Sequence, residues 1–118
     1  MTPATTDRGG ASYALVVGRI RDAGVTSAEL AAIVGVGERQ VQHWAAGSSK
    51  PTATTRERLV DLFYVVDQLE EIYRPEGVEI WLHSRNKLLG GARPVDLLGK
   101  GEFAPVIDAV ESLTHGAM

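Results

Sequence analysis

The chain has 118 residues, a formal net charge of −3 and no cysteine. That length suits one domain, or two small units sharing a core, and should bury roughly 65% of the unfolded surface without covalent staples. Disulfides and thiolate metal sites are excluded, and no segment approaches the roughly 18 apolar residues of a membrane span.

The charge is unevenly placed. Residues 1–58 carry seven Lys/Arg against five Asp/Glu, whereas residues 59–118 carry five against ten. An acidic second half is a poor partner for phosphates and the first half is permissive, so the two halves are expected to do different jobs.

In chain order, "MTPATTDRGG" lacks the apolar stretch of a signal peptide and reads as a disordered terminus, residues 1–10, of a soluble cytoplasmic protein. Beyond it the apolar segments follow helical period, and strand-like alternation is absent, which predicts an all-α fold. A first helix, about Ala11 to Ala23, places Tyr13, Val16, Val17 and Ile20 on one face, and Gly24 follows where a left-handed cap is cheapest. Thr26 and Glu29 have the spacing of a capping box for a second helix, which shows Leu30, Ala31, Ile33 and Val34 before "GVG" stops it. A third helix runs from about Glu38 to Ala46. After the polar loop "SSKPTATT", Thr54 and Glu57 suggest a second capping box for a long helix, about Arg56 to Tyr73. Its stripe of Leu59, Leu62, Phe63, Val66, Leu69 and Tyr73 is widened by Tyr64 and Val65. A helix apolar on more than one side is buried on more than one side, as a hub between the halves or a dimer interface.

Short helices broken by Gly and Pro complete the chain. "PEGVEIWLH" predicts two turns, "SRNKLLGG" one turn ended by glycine, and "RPVDLLGKG" a helix with Pro94 at its first position. The last helix, about Glu102 to Thr114, spaces Phe103, Val106, Ile107, Val110 and Leu113 on one face, and Gly116 terminates it.

The segment "GVGERQVQHWAAG", residues 35–47, has the register of a helix-turn-helix. Ala31 is small where the first helix approaches the second, Gly35 suits the left-handed turn, and Val41 and Trp44 can anchor the second helix. On that reading residues 11–55 form a DNA-binding-like domain whose second helix enters a major groove. Gln40 or Gln42 can pair with adenine and Arg39 with guanine or phosphate. His43, Lys50, Thr52 and Arg56 suit phosphate contacts. A lone copy would bind weakly, so operator binding requires a dimer. The alternative is a packing helix with ordinary solvated residues, which Glu38 and the single strong cation Arg39 keep open.

Residues 56–118 contain an ordered series: Trp81, Asn86, Leu89, "RPVDLL", "GKGEFAPVIDAVESL" and Gly116. With the helix-turn-helix before it, this series resembles antitoxins of the Xre/MbcA/ParS type, the MbcA-like branch most closely, over essentially the whole chain. The resemblance implies an N-terminal helix-turn-helix bundle joined to a C-terminal helical toxin-binding domain. It implies direct neutralisation of a RES-domain toxin that destroys NAD, encoded by the neighbouring gene, and autoregulation at operator DNA, by a homodimer within a larger hetero-oligomer. Toxin-binding positions would be Trp81, Arg85, Asn86, Leu89, Pro94, Leu97, Leu98 and Glu102. In the MbcA-like branch the C-terminus covers the NAD pocket, a role that falls by position on Leu113, Thr114, His115, Gly116, Ala117 and Met118. Related chains tend to end in larger apolar residues, whereas this one ends "GAM". An acidic surface of Glu70, Glu71, Glu76, Glu79 and Asp96 can match a basic rim on such a partner. Trp81, Phe103, Leu97 and Leu98 suit interface anchors, but at helical spacing they serve equally as core, and Asn86 equally caps a turn.

No catalytic constellation is legible. His43, His83 and His115 form no pair at metal-ligand spacing, there is no phosphate-binding glycine loop, and no cofactor is expected. Two other readings stay open: a free-standing helix-turn-helix repressor whose second half only dimerises, and a toxin inhibitor whose helix-turn-helix is vestigial.

Overall fold

A computed structural model describes the backbone of residues 3–115 and the side chains of residues 12–115. Among the described residues the chain is all-α. The helices are α1 (Pro3–Asp22), α2 (Ser27–Val34), α3 (Glu38–Ala45), α4 (Ala53–Glu70), α5 (Pro75–His83), α6 (Pro94–Gly99) and α7 (Phe103–Thr114), with a 3-10 turn at Lys87–Leu89.

Local chemistry explains most boundaries. The Thr26 hydroxyl accepts from the Glu29 amide at 3.0 Å and the Glu29 carboxylate accepts from the Thr26 amide at 2.9 Å, so the capping box of α2 forms as its spacing predicts. Gly35 closes α2 at φ +82°, in the left-handed region where glycine carries no Cβ penalty. Pro75 and Pro94 open α5 and α6, where a missing amide leaves no hydrogen bond unmade.

Three boundaries differ from expectation. Helix α1 begins at Pro3, inside the segment read as disordered. Proline is suited to a first helical position, and extending an existing helix adds a hydrogen bond per residue, which offsets a cost of about 1 kcal/mol for each of Gly9 and Gly10. Helix α4 begins at Ala53 with Thr52 as its extended N-cap residue, and the Thr54–Glu57 capping box is not formed. Pro51 is buried and anchors the loop one residue earlier, so the helix starts where the chain leaves the core. It ends at Glu70 instead of Tyr73, ahead of a turn into Arg74, whose extended backbone Pro75 favours.

Helix α4 is the hub, packing against α1, α2, α5 and α7. Leu59, Leu62, Val65, Val66 and Leu69 are all fully buried along it, which accounts for its unusually wide apolar surface. One hydrophobic cluster runs from Val17 and Ile20 through Leu30, Ile33, Val41 and Trp44 to Val78, Leu82, Leu98, Val106 and Val110. The expected division between residues 55 and 56 falls in the first turn of α4, and the two halves share this core. Arg19 adds a polar tie between α1 and α4, pairing with Asp67 at 3.2 Å and with Glu70 while its guanidinium lies over the Phe63 ring. Tyr64 donates to the Glu111 carboxylate at 2.8 Å, joining α4 to α7.

Candidate functional site

Helices α2 and α3 pack together across the Gly35–Gly37 turn, with α1 closing over α3. Val41 and Trp44 are buried and hold α3 down. The Trp44 indole N–H has no hydrogen-bond partner among the described residues. An unmade hydrogen bond costs about 1–3 kcal/mol, less than the ~3–5 kcal/mol lost when a buried tryptophan is cut to alanine.

The opposite face of α3 is open. Arg39, Gln42 and His43 are exposed, and their i, i+3, i+4 spacing puts them on one side of the helix. Gln40 differs from its neighbours. It is half-buried and its Nε2 donates to the Ser49 hydroxyl at 3.0 Å, so it braces the following loop instead of standing free to read a base. Ser48 caps the end of α3 by donating to the His43 carbonyl at 3.0 Å. Lys50, Thr52 and Arg56 are exposed, as phosphate-contacting residues need to be.

Arg58 is a contact that the sequence did not signal. Its guanidinium lies 3.5 Å from the Ile33 carbonyl, at the negative end of α2. A Cβ built at Gly35 would meet it at 3.4 Å and one at Gly101 at 3.5 Å, so it sits between the α2–α3 turn and the α6–α7 turn. No periodicity reports such a contact, because Arg58 lies on α4 and its partners are distant in sequence.

The expected toxin-contact positions divide by burial. Pro94 and Leu98 are buried core residues and cannot be surface contacts as the fold stands. Trp81, Leu89, Leu97, Phe103 and Leu113 are partly buried and pack against the core, so each offers at most one edge. Arg85 and Glu102 are exposed. Asn86 shapes its own loop, since its Oδ1 accepts from the Leu88 amide at 2.9 Å and its backbone pairs with Ala92. This loop aims Leu89 inward and leaves Leu88 64% exposed. Leu88 borders a groove of about 220 Å³ with Pro105, Asp108, Ala109 and Ser112. The 3-10 turn decides which leucine of the pair faces out, and a count at α-helical period misses it.

The acidic surface is partly neutralised within the chain. Arg93 donates twice to Asp96, at 2.8 Å each, which holds the Asp96 carboxyl below the usual range. Glu70 is taken by Arg19, and Glu71, Glu76 and Glu79 are exposed. Along the expected tail, the Thr114 hydroxyl returns to the Val110 carbonyl at 3.3 Å, and His115 is exposed. Gly116, Ala117 and Met118 lie outside the described residues.

No helix among the described residues is long and apolar enough to cross a membrane, and no group of three or more His, Asp or Glu side chains is placed to hold a metal ion.

No family model matches the chain, but individual proteins do. It is 39% identical over 102 residues to the probable mycobacterial cidal antitoxin Rv3188 of Mycobacterium tuberculosis H37Rv, covering 86% of this chain and 87% of that protein. It is 34% identical over 101 residues to the mycobacterial cidal antitoxin MbcA of Mycobacterium bovis, covering 86% and 89%. Among solved structures, a chain of the M. tuberculosis MbcT–MbcA toxin–antitoxin complex superposes with a TM-score of 0.72 at 33% identity, covering 89% of this chain and 96% of that one.

Proposed function

The chain belongs to the MbcA family of mycobacterial cidal antitoxins, and from that premise we propose that it neutralises, by direct contact, a RES-domain toxin that degrades NAD. The likeness to a chain of a toxin–antitoxin complex over nearly the full length of both carries this reading, because it includes the C-terminal half that the toxin would meet.

In this reading the contact surface centres on exposed Leu88 and its groove, flanked by Arg85 and Glu102 and by the outer edges of Trp81, Leu89 and Leu97. Leu88 is the apolar anchor of a patch with a polar rim. Pro94 and Leu98 act from beneath by fixing the surface. The role of covering the toxin's nucleotide pocket falls by position on Leu113 to Met118, and deleting Thr114 to Met118 separates occlusion of that pocket from affinity. The protein itself is non-catalytic and works in the cytoplasm.

The exposed face of Arg39, Gln42 and His43, together with exposed Lys50, Thr52 and Arg56, supports a second role at operator DNA. That role requires a dimer, assembled within the larger toxin–antitoxin oligomer, to present two such faces about 34 Å apart.

The direct experiment measures cellular NAD while the product of the neighbouring gene is expressed with and without this chain. NAD that collapses in its absence and is preserved in its presence supports the antitoxin reading. NAD that is unaffected by the neighbour, or that collapses despite this chain, rejects it.

A further inference from the structure

His83 is the last residue of α5, and its imidazole lies between a backbone carbonyl and a carboxyl group. Nδ1 is 2.8 Å from the Glu79 carbonyl oxygen, and Nε2 is 3.0 Å from Oε2 and 3.2 Å from Oε1 of Glu29 on α2. A neutral imidazole has one N–H and one bare lone pair. It can satisfy the carbonyl or an ionised carboxylate, and would then point a lone pair at the other. Both contacts are made only when the ring carries two protons, or when the carboxyl takes one.

The helix ends favour the charged pair. Glu29 lies in the first turn of α2, where an anion is stabilised, and His83 in the last turn of α5, where a cation is stabilised. Both side chains are about three-quarters buried, at 29% and 25% exposure, so solvent screens them less than a surface pair. Burial pushes the His83 pKa down, but the bonds to the Glu79 carbonyl and the Glu29 carboxylate outweigh it and raise the pKa above the ordinary 6.5. The remaining charge around it is mixed. The Glu79 carboxylate acts from α5 itself, Asp96 on α6 is stabilised by the His83 charge, and Arg93 occupies Asp96. Lys100 borders the cleft between α2 and α6 together with Glu29 and Asp96.

The pair spans the two halves of the chain, 54 residues apart in sequence. We propose that His83 and Glu29 form a protonation-dependent latch that holds the helix-turn-helix half tightly against the C-terminal half and slackens that junction as pH rises. The latch does not depend on which partner either half binds. A raised histidine pKa makes its contribution to stability complete below about pH 6.5 and lost as pH rises through the folded-state value.

The full-length chain tests this through two measurements on wild type and Glu29→Gln. Glutamine keeps the cap on the Thr26 amide while removing the charge. The NMR titration midpoint of the His83 ring should move to lower pH in Glu29→Gln. The wild-type melting temperature should fall more steeply between about pH 6 and pH 8 than that of the variant. His83→Gln is the second variant, and its melting temperature should show the same flattened profile. An unchanged ring midpoint, or parallel melting profiles for wild type and the variants, would overturn the latch, because mere packing at this junction has no reason to follow that pH window.

Discussion

Gly24 lies directly under Glu79: a Cβ at residue 24 would fall 2.7 Å from the Glu79 Cβ, and the Gly24 backbone sits at φ +95°. The loop that enters α2 therefore passes against α5 where only hydrogen fits. Two penalties act together, a left-handed backbone and a clash with the rigid base of a side chain. Gly24→Ala is expected to destabilise the fold by about 1–3 kcal/mol, read as a lower urea midpoint with an unchanged slope. A midpoint equal to wild type would show that the α5 approach relaxes freely.

The continuous core predicts that both halves unfold together. Trp44 lies in the helix-turn-helix and Trp81 in the C-terminal half, and they are the chain's two tryptophans, so Trp44→Phe and Trp81→Phe each leave a reporter in one half. Within each variant, the fluorescence transition in urea should coincide with the far-ultraviolet circular dichroism transition. Fluorescence transitions that precede or lag the loss of helix would show that the halves melt as separate units.

Arg39 and Gln42 stand exposed on α3 without a core role. A double change to alanine should leave stability within about 0.5 kcal/mol. On the proposed operator role it should weaken binding to the upstream DNA at fixed salt by about 10-fold or more, since one good bidentate base contact is worth ~1–3 kcal/mol. Toxin neutralisation should be untouched. Retained operator affinity would remove α3 from the DNA interface.

Leu88→Glu tests the proposed toxin surface. The side chain is 64% exposed, so its replacement should cost little stability, within about 0.5 kcal/mol, while placing a charge at an apolar anchor. Co-purification of the toxin should be lost and the melting temperature kept. Full retention of the complex would move the interface away from this groove.

The features legible in the sequence depend on residues close in the chain. The Thr26–Glu29 box and the Gly35 turn involve residues within five positions of one another, and Pro94 at a first helical position needs no partner at all. The apolar periodicity of α4 and α7 likewise announces buried faces, because helical pitch converts spacing directly into a stripe. The wide surface of α4 already pointed to burial on several sides.

Tertiary packing decided the rest. Buried Pro51 sets the start of α4, overriding the Thr54–Glu57 spacing, and the Asn86 loop turns Leu89 in and Leu88 out. Pro94 and Leu98 belong to the core although their spacing resembles a binding motif, and Gln40 is held by Ser49 although its position suits a base contact. Arg58 at the Ile33 carbonyl and His83 at Glu29 join residues 25 and 54 positions apart. Sequence by itself determined which segments beyond residue 10 become helices and which of their faces are apolar, since these follow from local hydrogen bonding and pitch. Which apolar or polar residues remain available to a partner depended on how the helices pack, because burial is a property of neighbours that only the folded chain brings together.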